Sequence, residues 1–168
     1  LATTPAVMKI IQEGALRLDH HLGTALPFFK GTEKERITIR HLLCHKGGLA
    51  DYRPYYLELI KLPPEKREHA LRMLLVQEPL ENPVGKITVY SDLGFMILRW
   101  VVETVSRRRL DDIVTKDIYH PLGLFNLGFS DPEAPLFQNN VAATEKCPWR
   151  NRLIHGDVHD ENAWVVGG

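Results

Sequence analysis

Residues 93–105 read LGFMILRWVVETV, a segment that is apolar around nearly the whole circumference of a helix. A helix that is apolar on most sides is buried on most sides, so this segment predicts the central element of the fold. Its charged residues Arg99 and Glu103, with Arg107 just beyond, are spaced four apart and fit one narrow exposed strip. We therefore expect a fold that is built around one buried helix.

The segment before this helix reads PVGKITVYSDLGF at residues 83–95, which predicts a turn followed by an extended stretch. Ser91 or Asp92 can cap the helix by accepting a backbone N–H bond, and the cap directs the hydroxyl of Tyr90. A tyrosine packed beside an ordinary helix start is the simpler explanation, and spacing alone favours it.

Apolar periodicity and cap signals predict four further helices. The first is capped by Thr4 and ends at Gly14, and the second is capped by Thr38 and stopped by the glycine pair at 47–48. The other two cover residues 65–78 and 110–119. Short strand-like pieces follow, at residues 141–144, 153–154 and 164–166.

The composition is that of a globular protein, with 44% hydrophobic and 25% charged residues in a chain long enough to bury a core. Because 21 basic residues balance 21 acidic ones, net charge provides no general attraction to nucleic acid or anionic membranes. The run from Arg107 to Arg109 is interpreted as a solvated helix end. Cys44 and Cys147 are too few for a disulfide framework, and Cys44 is expected to be buried.

Both termini look cut, because the chain begins at Leu1 without a methionine and closes on an apolar run at 164–168. We expect a single incomplete domain over residues 1–168, with exposed cut surfaces that promote self-association. No apolar stretch approaches the roughly 20 residues that span a bilayer, so no membrane span is predicted. The cellular compartment is not predicted, since no targeting segment is visible in the sequence.

Four segments that occur in order along nearly the whole chain resemble known signatures. Tyr90-Ser91-Asp92, with Pro83 and Gly85 before it and Gly94-Phe95 after it, is similar to the Tyr-Ser-Asn motif of the serine β-lactamase family. This branch groups class C β-lactamases, penicillin-binding DD-peptidases and related esterases. The other three segments that resemble family signatures are IRHLLCHKGGL at 39–49, PLGL at 121–124 and VHDENA at 158–163.

The resemblance implies a mostly α chain: the helical region of an α+β serine β-lactamase-like (DD-peptidase) fold, with a few short strands near the C-terminal end. It implies hydrolysis of an acyl bond in a β-lactam, a D-alanyl peptide or an ester through a serine acyl-enzyme, without a cofactor. Tyr90 matches the catalytic tyrosine that shuttles the proton, and Ser91 and Asp92 are supporting or substrate-contacting positions. Asp92 stands where the family more commonly has asparagine. The difference matters because a carboxylate only accepts hydrogen bonds, whereas an amide can also donate them.

Two other motifs of the resembled family have no counterpart here. None of Ser91, Ser106 and Ser130 is followed three residues later by lysine, and His45-Lys46-Gly47 fits His-x-Gly only by its letters. The resemblance thus implies a nucleophile before Leu1 and a third motif after Gly168. With a pKa near 10, about one phenol in a thousand is ionised at pH 7, so the tyrosine needs a neighbouring amine. We expect the isolated chain to be inactive.

Two alternatives remain. A metal-dependent hydrolase needs three convergent ligands, and no His-Glu-x-x-His string occurs, so no metal site is predicted. A helical interaction module without catalysis is the other alternative. The expected partner is a small-molecule or peptidoglycan-type substrate, and nucleic acid is not expected. The residues weighed as metal ligands are His20, His21, His41, His45, His155, His159, Asp157, Asp160 and Glu161.

Overall fold

The computed structural model describes residues 1–129 and 141–167, and helices form most of its regular structure. A π-helix at Val114–Tyr119 and two 3₁₀ turns at Pro27–Phe29 and His120–Leu122 accompany the α-helices of this part. Two strands, β1 (Ala143–Cys147) and β2 (Arg152–His155), pair antiparallel. The α-helices, α1 to α8 in chain order, are Thr3–Gln12, Leu22–Ala25, Ile39–Leu43, Tyr56–Leu59, Pro64–Gln77, Asp92–Ser106, Leu110–Ile113 and Glu161–Val165.

Contacts between residues divide the chain into two compact units. The larger unit consists of Leu1–Arg53 and Arg72–Leu127, and the smaller unit consists of Pro54–Leu71 and Gly128–Gly168. The division falls inside α5, so this helix contributes residues to both units. That residues 1–168 form a single domain stays a prediction.

Helix α6 is the central element of the larger unit, as its apolar sequence predicts. Its side chains at Leu93, Ile97 and Val101 are fully buried, and the helix contacts α1, α2, α3 and α7. Each fully buried aliphatic side chain contributes roughly 1.5–3 kcal/mol. The predicted exposed strip is only partly present: Arg107 is exposed, whereas Arg99 and Glu103 are half-buried and pair with each other, with Arg99 Nε 3.3 Å from Glu103 Oε1.

The start of α3 confirms one predicted cap. The Thr38 side chain accepts a hydrogen bond from the backbone N–H of His41, and the His41 ring accepts one from the backbone N–H of Thr38. The predicted end is wrong, since the helix stops at Leu43 rather than at the glycine pair. The residue that turns the chain is His45, which adopts a positive φ of 54°.

The start of α1 corrects another predicted cap. The helix begins at Thr3, its N-cap is Ala2, and Thr4 lies inside the first turn. Pro5 is compatible with this earlier start, because the first four N–H groups of a helix have no partner within it. A proline near a helix start therefore fixes the first residue of the helix only to within one or two positions.

The smaller unit contains two of the three predicted strands. β1 and β2 cover the predicted pieces at 141–144 and 153–154 with shifted ends. The third prediction, a strand at 164–166, is wrong: Trp164 and Val165 belong to α8 and Val166 is its C-cap. The N-cap Asp160 accepts the backbone N–H of Ala163 at 2.6 Å. Buried Asn162 and Val165 are three apart, the spacing of a helix face.

The run from Arg107 to Arg109 lies at the exposed end of α6. Arg107 has a positive φ of 57° and ends the helix, while Arg108 binds the carboxylates of Asp112 and Asp117. Within residues 1–129 and 141–167, no helix is both long and apolar enough to cross a membrane.

Candidate functional site

Tyr90 lies at the end of the extended segment, immediately before α6. The residue is 70% exposed, so its hydroxyl is not sealed in the helical core. Among the described residues, no side chain or backbone group forms a hydrogen bond with this hydroxyl. The phenol therefore faces outward and is accessible to a substrate.

The segment that carries Tyr90 runs beside residues 45 and 46. The N–H of Gly85 donates to the carbonyl of Lys46 at 2.8 Å, and the N–H of Val89 donates to the carbonyl of His45 at 3.0 Å. The segment is extended, as predicted, but it is not a strand of a sheet. These backbone bonds fix its course up to the residue before Tyr90.

Ser91 is the N-cap of α6. Its side chain accepts the N–H of Gly94 at 3.3 Å, and its hydroxyl donates to the carbonyl of Ala50 at 2.5 Å. With the residue only 4% exposed, both bonds lie within the protein. Ser91 thus supports the position of Tyr90, while a direct contact of Ser91 with substrate stays a prediction.

Asp92 is the first residue of α6 and is half-buried. Its backbone N–H donates to the carbonyl of Asp51 at 2.9 Å. A carboxylate in the first turn of a helix is favoured by the partial positive charge there. Its part in substrate contact stays a prediction.

His45 is a residue of this site that sequence reasoning missed. Its ring centroid lies 4.5 Å from the Tyr90 ring and 5.0 Å from the Phe95 ring. Its Nδ1 accepts the backbone N–H of Ser91 at 3.1 Å. The sequence indicates His45 only weakly, through its position inside a segment that resembles a family signature. The number of residues between His45 and Tyr90 does not predict that their side chains are in contact.

Two glycines permit the close approach of the chain segments beneath Tyr90. A Cβ atom on Gly48, whose φ is +77°, would lie 2.2 Å from the carbonyl oxygen of Asn82. A Cβ atom on Gly85 would lie 3.2 Å from Nε2 of His41. Burial, followed by the positive charge of Arg40, lowers the pKa of His41 below its ordinary value. A neutral His41 is the form that can accept the Thr38 N–H.

Lys34 is a lysine with a perturbed amine in the larger unit. It is only 2% exposed, and burial lowers its pKa from the ordinary value. Its Nζ donates to the backbone carbonyl of Glu78, so this ammonium is engaged away from Tyr90.

One of the histidines weighed as metal ligands, His159, lies beside a member of a group of three residues whose ligand atoms are close together. His155 Nε2 lies 2.6 Å from the carbonyl oxygen of Val141, and His159 Nε2 lies 4.0 Å from Glu145 Oε1. Within the described residues, ligand atoms that lie within 4.8 Å of one another belong to Glu145, Cys147 and Glu161. Only Glu161 of this group was among the residues weighed from the sequence, and the metal-dependent alternative stays a prediction.

Comparison with known proteins shows the family to which the chain belongs. The sequence profile of the family described as Beta-lactamase matches residues 1–159. An Escherichia coli (strain K12) protein that carries the name "Putative D-alanyl-D-alanine carboxypeptidase" is 31% identical and covers 99% of this chain. The chain spans 43% of that protein's length.

Solved structures show the same relationship. A penicillin binding protein from Bacillus halodurans has 26% sequence identity and a TM-score of 0.62, and the match covers 79% of this chain and 42% of that one. EstCE1, a hydrolase with promiscuous acyltransferase activity, also has 26% identity and a TM-score of 0.62, with 92% of this chain and 47% of that one covered. Both matches extend over less than half of the longer proteins.

Proposed function

This chain belongs to the beta-lactamase family, and we propose that it carries the tyrosine of a serine hydrolase that cleaves an acyl bond through an acyl-enzyme. The observation that supports this most directly is the exposed phenol of Tyr90 on a segment fixed from both sides. In this role Tyr90 transfers the proton between the serine hydroxyl and the leaving group. A positioned acid–base group of this kind contributes about 10²- to 10⁴-fold to a rate.

We infer that residues 1–168 form the helical region of an α+β enzyme whose nucleophile is supplied by another part of the parent protein. No Ser-x-x-Lys or Lys-Thr-Gly string occurs in this sequence. A proton relay without a nucleophile has no group to activate, so the chain alone is inactive.

Among the three acyl substrates, a D-alanyl peptide is the first candidate. The name of the E. coli relative at 31% identity supports it. A β-lactam has the same kind of acyl bond, and an ester is supported by the similarity to EstCE1. All three substrates would form the same type of serine ester.

The test is Tyr90→Phe in the full-length parent protein. We expect kcat/KM to fall at least about 100-fold, the lower bound for loss of a positioned acid–base group. The assays are release of D-alanine from a D-alanyl-D-alanine peptide, hydrolysis of nitrocefin and hydrolysis of p-nitrophenyl acetate. Because Tyr90 is 70% exposed, the variant should keep its melting temperature.

The matched control is Tyr56→Phe, which removes the same hydroxyl from α4 in the smaller unit. Its activity should stay within about twofold of the original, because phenylalanine keeps the half-buried ring that packs against Trp149 and Tyr56 lies outside the motif that carries Tyr90. Full activity of Tyr90→Phe on every substrate that the parent hydrolyses would reject the proposal.

A further inference from the structure

Both neighbours of Tyr90 in the chain are bound by one residue. The N–H of Val89 donates to the His45 carbonyl at 3.0 Å, and the N–H of Ser91 donates to the His45 Nδ1 at 3.1 Å. The backbone on each side of Tyr90 is thus attached to His45 through two different groups. Displacing His45 would release the segment at the very residue that carries the phenol.

The same residue also contacts the Tyr90 side chain. The His45 and Tyr90 ring centroids are 4.5 Å apart with an interplanar angle of 32°, and Phe95 stacks on His45 at 5.0 Å and 23°. The imidazole is therefore in contact with a ring anchored on α6 as well as with the Tyr90 phenol. Because Nδ1 accepts a hydrogen bond, the hydrogen of the neutral ring lies on Nε2.

An exposed tyrosine needs such a contact if it is to act as a proton relay. At 70% exposure few neighbours restrict its side-chain rotation. A relay must stay within hydrogen-bond reach of the groups that exchange the proton. A contact between two aromatic rings is directional, so the tilted His45 ring favours one orientation of the phenol.

We propose that His45 is a positioning residue for Tyr90, which it holds through the tilted ring contact and through the bonds to Val89 and Ser91. This inference rests on the proposed function, and it assigns no proton transfer to His45 itself. The inference makes the position of Tyr90 depend on His45, a residue outside the motif at 90–92, in the segment after α3.

The decisive variant is His45→Asn in the full-length parent. Asparagine tolerates the positive φ of 54° at this position, and its side-chain oxygen can accept the Ser91 N–H. It has no ring, so it loses the contact with the Tyr90 ring. We expect kcat to fall about three- to tenfold, which is the fold-change that corresponds to one lost aromatic contact. KM should stay within about twofold, and the melting temperature should change little.

A second variant, His45→Phe, keeps a ring but removes the Nδ1 acceptor. It should retain more of the original kcat than His45→Asn, even with a lower melting temperature. His69→Asn makes the same chemical change as the first variant at an exposed position of α5 and should leave kcat unchanged. If His45→Phe does not fold, the comparison of kcat between His45→Asn and His69→Asn still tests the inference.

The double variant His45→Asn/Tyr90→Phe separates this inference from the proposed function. If His45 acts through Tyr90, adding His45→Asn to Tyr90→Phe lowers the residual rate by less than about twofold. An unchanged kcat in His45→Asn, or the same loss in both backgrounds, overturns the inference and leaves the role of Tyr90 standing. Full activity of Tyr90→Phe overturns both.

Discussion

His41 caps α3 through a ring nitrogen that accepts a hydrogen bond. Its Nδ1 accepts the Thr38 N–H at 3.2 Å, a bond that the protonated ring cannot accept. Burial, followed by the charge of Arg40, lowers the pKa of His41 in the folded protein. The unfolded chain therefore takes up a proton at a higher pH than the folded chain does.

From this difference we predict that the free energy of unfolding falls as the pH drops through about 6.5, the ordinary pKa of histidine. The contribution of His41 is fully present above that pH, and its slope ends below the lowered pKa of the folded state. His41→Gln should remove this part of the slope while keeping the cap, because glutamine at the same position forms a capping box with Thr38. Urea unfolding of this chain between pH 7.5 and 5.5 measures the effect.

His69→Gln is the matched control, because His69 is exposed on α5. It should leave the pH dependence as it is in the original chain. An equal slope in the original chain and in His41→Gln would contradict the assignment to His41.

Single residues also show the limit of inference from the sequence. The motif at residues 90–92 predicted a cap at Ser91 or Asp92, and Ser91 is the N-cap, because a cap depends on neighbours within a few positions. The catalytic role of Tyr90 stays a prediction. The ring contact between His45 and Tyr90 joins positions far apart in the chain, and no local pattern encodes it. Cys44, expected inside the core, is exposed because α3 ends one residue before it.

The helices and their connections differ in how far sequence determines them. The sequence predicts α6 within one residue at each end, because a continuous apolar run and a serine cap agree there. A run of three apolar residues, such as 164–166, is compatible with either a strand or a helix, and the sequence predicts a strand here. The structure has a helix instead, which begins at the N-cap Asp160. The residues from 110 to 119 are helical as expected, but from Val114 onward they form a π-helix.

The junction between α3 and the segment before α6 depends on Gly48. The carbonyl of Gly48 accepts the N–H groups of Glu81 and Asn82 at 2.8 and 3.2 Å, which brings the two backbones together. A side chain at this position meets both a strained φ and the Asn82 carbonyl.

We predict that Gly48→Ala destabilises the chain by about 3 kcal/mol or more, the sum of a left-handed alanine and a steric displacement. Gly14→Ala provides the matched control, since Gly14 has nearly the same φ of +78° and no atom lies within 4 Å of its added Cβ. It should cost only about 1–2 kcal/mol. Chemical denaturation of both variants gives the difference, and equal losses would show that the Asn82 contact does not matter.

At the scale of the whole molecule, the proposed catalytic Tyr90 and the residues discussed as its support lie in the larger unit. Tyr90, His45, Ser91 and Asp92 all belong to Leu1–Arg53 and Arg72–Leu127. The chain spans 43% of the length of the E. coli relative, and the activity of the whole protein stays a proposal.

We predict that a fluorescent penicillin forms no covalent adduct with the isolated 168-residue chain, whereas it labels the full-length parent at a serine outside residues 1–168. The reason is that no serine here has a lysine three residues later. Intact-mass spectrometry after incubation detects the adduct, with p-nitrophenyl acetate as a second acyl donor. A stoichiometric acyl adduct on a serine of the isolated chain would contradict the prediction.

The contrast between the two thiols has a practical consequence. Cys44 is exposed and directly precedes His45, while Cys147 is only 1% accessible. A maleimide dye will therefore attach to this chain at one place, next to the ring that touches Tyr90, without any engineered cysteine. Its emission will respond to molecules that arrive at the phenol, which provides an optical assay of binding that is independent of turnover.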